Sequence, residues 1–123
     1  MLSQKAILIV EDNCFLALDL AVAVEDLDGQ VVGPVASAAD ALLLLDKHRI
    51  SGAVLDCQLS DRDVTPVVLT LVDKGVPLVI QTGTGVPAAL AEALPGLPCM
   101  RKPVKPAKVL ELLAEQISKR ALV

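Results

Sequence analysis

The stretch AILIVEDN, residues 6–13, decides how the rest of the chain reads. Five consecutive apolar residues, Ala6 to Val10, describe a short strand buried on both faces, and the run stops at two acids, Glu11 and Asp12. A strand of that kind requires a sheet covered by helices, so the question is whether helices and further buried strands follow in alternation.

They do. A helical segment runs from about Asn13 to Leu27, with Leu16, Leu20, Val24 and Leu27 at helical spacing. QVVGPVA (Gln30 to Ala36) is a second strand, weakened by Gly33 and Pro34 and so expected near an edge. Ser37 is a good N-cap for a second helix reaching Arg49. GAVLD (Gly52 to Asp56) is a third strand, followed by a loop and a helix from about Val64 to Lys74 that Gly75 closes. PLVIQ (Pro77 to Gln81) is a fourth strand, Pro87 opens a short alanine-rich helix ended by Pro95 and Gly96, and PCMR (Pro98 to Arg101) is a fifth strand. Pro106 suits the first turn of a last helix to about Ala121, whose Val109, Leu110, Leu113 and Ile117 face inward. Five βα units predict an α/β fold with a doubly wound, five-stranded parallel sheet. They account for all 123 residues, so one domain over 1–123 with no output domain is the expectation.

Composition narrows the function. Apolar residues make up 54% of the chain, yet no apolar run reaches the roughly 18 residues of a membrane span. The N-terminal apolar run ends at acids without a small-residue cleavage site, so a cytoplasmic protein is expected. A net charge of −4, one Phe and no Trp or Tyr leave neither a basic stripe nor a stacking platform for nucleic acid. Cys14, Cys57 and Cys99 share no metal-ligand spacing and read as small buried hydrophobes of a reducing compartment, and His48 as a surface residue at a helix end.

In a doubly wound sheet of order 2-1-3-4-5, ligands bind beyond the carboxyl ends of strands one and three, where the order reverses. Those ends supply Glu11, Asp12 and Asp56. Three carboxylates in one crevice repel one another unless a proton or a cation intervenes, and an all-oxygen set suits Mg²⁺. Strand five brings Lys102 to the same edge, and strand four ends in TGTG, where Thr82 leads a loop.

Taken together, the chain resembles a response regulator receiver domain of the stand-alone, CheY-like type, with a flavodoxin-like fold. The resemblance rests on Glu11 and Asp12 after strand one, Asp56 after strand three, Thr82 and Gly83 after strand four, and Lys102-Pro103 after strand five. It implies two-component or phosphorelay signalling rather than an enzyme: Asp56 accepts a phosphoryl group from a sensor histidine kinase or histidine phosphotransfer protein. It further implies Mg²⁺ held by Asp12, Asp56 and the Gln58 backbone carbonyl, with Glu11 acting mostly through water. Lys102 would neutralise the phosphoryl oxygens, Thr82 would move to bond one of them, and Gly83 would leave room for the group. Gln58 and Thr84 would modulate the lifetime of the phosphorylated form. A downstream protein would bind the face from the fourth to the fifth helix.

The chain departs from that pattern where Cys99 replaces the usual aromatic three residues before the lysine, and where Ser60 replaces a common proline. Phe15 could rim the site, but core packing is the plainer expectation. Two other readings stand beside this one. A flavodoxin-like FMN electron carrier would need its phosphate loop after strand one rather than strand four, and a degenerate receiver would bind partners without phosphorylation.

Overall fold

The computed structural model describes residues 2–121. Five parallel strands form one sheet in the order β2-β1-β3-β4-β5. They are β1 (Ala6–Val10), β2 (Gln30–Val35), β3 (Gly52–Asp56), β4 (Leu78–Thr82) and β5 (Cys99–Arg101). The helices between and after them are α1 (Cys14–Asp26), α2 (Ala38–Lys47), α3 (Thr65–Asp73), α4 (Ala88–Ala93) and α5 (Pro106–Ala121). The expected α/β architecture and strand order are therefore the observed ones.

Strand alternation divides the core into two layers. Ile7, Ile9, Val54 and Val79 pack with Leu20, Ala21 and Val24 of α1 and with Val109, Leu110 and Leu113 of α5. Leu8, Val10, Ala53, Leu55, Leu78 and Ile80 point the other way, against Ala38, Ala41 and Leu45 of α2, Val67, Val68 and Leu71 of α3, and Leu90 of α4. Both faces of the central strands are covered, which is why β1, β3 and β4 read as continuous apolar runs.

Caps fix the helices that flank the crevice. The Asn13 side-chain oxygen accepts from the N–H groups of Phe15 (3.0 Å) and Leu16 (3.2 Å), and Ser37 Oγ accepts from Asp40 N at 3.1 Å. Gly33 lies where the β1–β2 register shifts, at φ +96, and a Cβ there would come within 3.0 Å of the Ile9 carbonyl oxygen. Gly33→Ala is therefore expected to destabilise the fold by about 1–3 kcal/mol, read from urea unfolding, whereas an unstrained glycine would give a small change or a gain.

Several sequence expectations need correction. Phe15 is 77% exposed rather than in the core. The inward stripe of α1 is Ala17, Leu20, Ala21 and Val24, and Phe15 stands two residues from Ala17, about 200° around the helix. Leu16 falls on the margin of the same stripe and is partly exposed. Only Cys57 is a buried cysteine; Cys14 opens α1 and Cys99 sits on the edge strand β5, both exposed. α2 ends at Lys47, leaving His48 and Arg49 exposed beyond it, and Thr82 is the last residue of β4 rather than the first of the loop. No described helix is long and apolar enough to cross a membrane.

Candidate functional site

The alternation that builds the two core layers also aims the polar strand ends. Asp56 has the parity of Val54, and Gln81 that of Val79, so both lie on the α1/α5 side; register pairs Asp56 with Gln81 directly. Glu11, the residue after β1, continues the series Ile7, Ile9. Lys102 follows β5, its N–H donating to the Thr82 carbonyl at 2.8 Å. Four polar side chains thus converge over the carboxyl end of the sheet.

Lys102 is the hub. Its Nζ donates to Glu11 Oε1 at 2.9 Å and to Asp56 Oδ2 at 3.1 Å. Glu11, with a side chain 0% exposed, also accepts from Gln81 Nε2 at 3.1 Å and, through Oε2, from the Asn13 N–H at 3.1 Å. Burial pushes the Glu11 carboxyl above the usual glutamate range despite its bond to Lys102. Burial alone would lower Lys102, but its bonds to Glu11 and Asp56 prevail and raise it, so the ammonium stays charged.

Asp12 differs from its neighbours. It is exposed, and among the described residues its carboxylate makes no side-chain hydrogen bond. Oxygens of Glu11, Asp12 and Asp56 nevertheless lie within 4.8 Å of one another. Three carboxylates facing one ammonium leave an excess of negative charge, and oxygen-only donors with one fully uncommitted member fit a hard divalent cation such as Mg²⁺.

The remaining predicted residues make no side-chain bond to Lys102, Glu11 or Asp56 among the described residues. Thr82 is buried, and its Oγ1 closes a turn at the end of β4, accepting from Thr84 N (3.1 Å) and Gly85 N (3.0 Å) and donating to the Gly85 carbonyl (3.2 Å). It has the parity of Leu78 and Ile80, opposite to Gln81, and its hydroxyl bonds to the 84–85 turn rather than to the Lys102 hub. Gly83 and Thr84 are exposed, and a Cβ on Gly83 would meet nothing within 4 Å, so packing does not by itself demand glycine there. Gln58 lies in the β3–α3 loop, bridged to Asp63, with its side chain exposed. Sequence reasoning passed over Gln81; an amide closing an otherwise apolar buried strand was the available signal.

An open doubly wound sheet with an acidic cluster and a lysine beyond its strand ends defines the class of architecture, an α/β domain with its polar residues gathered at the switch point. No protein-family model matches the chain, and no curated protein matches it. Solved structures do. A CheY-like receiver domain protein from Methanospirillum hungatei aligns at TM-score 0.85 and 22% identity over 98% of both chains. SdrG from Sphingomonas melonis aligns at TM-score 0.78 and 29% identity, over 96% of this chain and 99% of that one. The receiver domain of a sensor histidine kinase from Pseudomonas aeruginosa, solved with a magnesium ion coordinated in its active site cleft, aligns at TM-score 0.78 and 21% identity, over 93% of this chain and 98% of that one. This chain therefore has the fold of CheY-like receiver domains.

Proposed function

We propose that residues 1–123 form a receiver that takes a phosphoryl group onto Asp56 from a phosphohistidine of a sensor kinase or phosphotransfer protein. The observation that supports this most is the shared grip of Lys102 on Glu11 and Asp56, with the uncommitted carboxylate of Asp12 beside them. Asp12, Asp56 and the Gln58 carbonyl would hold Mg²⁺, with Glu11 contributing through water. When bound, the ion supplies neutralising charge for the phosphoryl oxygens.

One Asp56 carboxylate oxygen is the nucleophile, beside Oδ2 held by Lys102. It attacks phosphorus while the phosphorus–nitrogen bond of the donor breaks, and the electron pair returns to the donor imidazole. The Lys102 ammonium then stabilises the charge left on the acyl phosphate. Glu11 holds Lys102 in place, and Gln81 and the Asn13 N–H hold Glu11. The chemistry is confined to loading and losing one phosphoryl group, which makes the protein a signalling module rather than an enzyme acting on a separate substrate.

Donor and output use different surfaces. The outer face of α1, beside the crevice, exposes Phe15, Leu18 and Val22. Next to it a hollow of about 300 Å³ is lined by Leu16, Gln81, Lys102, Pro103 and Val104. An apolar patch touching the reactive edge suits the phosphodonor. Output is assigned to the α4 to α5 face, because the turn that Thr82 closes leads directly into α4. Withdrawing the Thr82 hydroxyl from that turn to meet the phosphoryl group would release residues 83–87. Thr82→Ala is therefore expected to keep phosphoryl loading but lose the phosphorylation-dependent change in amide exchange across α4; an unchanged α4 response would remove Thr82 from the switch.

The test is intact-mass spectrometry after incubation with acetyl phosphate, with Mg²⁺ or with EDTA. One added phosphoryl group that requires Mg²⁺ is expected. A yellow preparation releasing FMN would overturn the reading, and a protein that neither loads nor binds beryllofluoride would leave a phosphorylation-independent binding module.

A further inference from the structure

We propose that Asp61 is a positioning residue for the phosphoacceptor loop, latching it to the N-terminus of α2 so that the Gln58 carbonyl is held ready for Mg²⁺. The inference rests on the receiver reading above and concerns a residue that takes no part in the chemistry itself.

The first turn of a helix leaves N–H groups without partners inside the helix. In α2 the local cap, Ser37, serves only Asp40. The N–H groups of Ala38 and Ala39 are met instead by a carboxylate from the β3–α3 loop: Asp61 Oδ1 accepts from Ala38 at 2.8 Å and Oδ2 from Ala39 at 3.1 Å. Ser60 adds its N–H (3.1 Å) and its Oγ (3.0 Å), both donating to the Ala36 carbonyl. Four hydrogen bonds thus tie residues 60–61 to residues 36–39. The Ala38 N–H, with Ala39 behind it, holds the Asp61 carboxyl below the usual aspartate range, as a charge-assisted cap at a helix N-terminus should.

Within the loop a short antiparallel ladder, with Gln58 bridged to Asp63, orders the backbone, and the latch fixes where that ladder stands relative to the rest of the fold. Leu59 N bonds the Arg62 carbonyl (3.1 Å), and Val64 N bonds the Cys57 carbonyl (3.0 Å) at its base. Gln58 sits between these, and its carbonyl must stand at a fixed place relative to Asp12 and Asp56 to serve a cation with strict octahedral demands. The end of β2, three residues before α2, is joined to the crevice in turn, since the Glu11 N–H donates to the Val35 carbonyl at 2.9 Å. Asp61 thereby references the loop to the strand end that carries Glu11 and Asp12.

Partners behind metal ligands commonly contribute 10–100-fold in affinity. Asp61→Ala is expected to weaken Mg²⁺ binding by roughly tenfold, and Asp61→Asn, which keeps an acceptor but loses the charge, by less. Mg²⁺ alone is the probe, titrated calorimetrically into wild type, both Asp61 variants and Ser37→Ala. Ser37→Ala removes the local cap of the same helix without touching the loop. It should lower the melting temperature and leave Mg²⁺ affinity as in wild type. Hydrogen exchange should show the Ala38 and Ala39 amides deprotected in Asp61→Ala. Mg²⁺ affinity unchanged in Asp61→Ala, or reduced equally in Ser37→Ala, would overturn the positioning role and leave an ordinary helix cap. Failure of the wild type to bind Mg²⁺ at all would instead overturn the receiver reading from which the role follows.

Discussion

Lys102→Ala is expected to lower the melting temperature by roughly 10 °C in Mg²⁺-free buffer near pH 8, a loss of about 3 kcal/mol. The cause is the group left behind. Glu11 is fully buried and would face Asp56 with no cation between them, and breaking a buried pair on one side typically costs about 3–5 kcal/mol. The lower end applies because the Lys102 side chain is 23% exposed, so water screens part of the interaction. The sign with pH follows from Glu11. A carboxyl whose folded value is raised contributes stability at low pH that is lost as pH rises through that value. Removing Lys102 raises Glu11 further, so the gap between variant and wild type should shrink as pH falls toward 5, the region of glutamate titration. In wild type, Lys102 is raised above its ordinary value; its contribution is full below about pH 10.5 and fades as pH climbs through the raised value. Thermal melts of both proteins across pH test this, and a gap independent of pH would point to lost packing instead.

Asp12→Ala should have the largest effect on metal. Glu11 is occupied by Lys102, Gln81 and the Asn13 N–H, and Asp56 shares one oxygen with Lys102. Asp12 therefore offers both oxygens free, and removing a direct ligand should exceed the effect of removing a residue behind one. A loss of Mg²⁺ affinity on the order of 100-fold or more is expected by calorimetry, with the melting temperature of the Mg²⁺-free protein unchanged or slightly raised as repulsion is relieved. Glu11→Gln should show the opposite pattern, a modest change in affinity and a displaced Lys102. Equal losses in the two variants would mean that the acids act as one undifferentiated charge cluster.

Short apolar runs ending in acids made the sheet and the positions of Glu11, Asp12, Asp56 and Lys102 legible, because in a sheet covered on both faces each strand end must open into the crevice. Helix faces were less legible. α1 is apolar almost all round, so periodicity could not separate the inward Ala17, Leu20, Ala21 and Val24 from the exposed Phe15, Leu18 and Val22. Ala17 and Ala21 let the helix approach the sheet, and Leu20 and Val24 fill the space beside them. Which distant polar side chains bond one another inside and beside the crevice was not legible. Asp61 reads as a loop acid until the Ala38 N–H is seen 23 residues away, and Gln81 reads as a strand end until Glu11 is placed 70 residues away. Thr82 was identified by position, but strand parity, which keeps it off the Lys102 hub, follows only from the observed end of β4.

The most direct test of the account is chemical location of the phosphoryl group. Protein loaded from acetyl phosphate with Mg²⁺ is reduced with borohydride, which converts an aspartyl phosphate into homoserine, and digested for peptide mass mapping. Homoserine at position 56, absent when Mg²⁺ is chelated and absent in Asp56→Asn, is the predicted result. Homoserine at another aspartate, or none in protein whose intact mass shows the added group, would contradict the assignment of Asp56 as the phosphoacceptor.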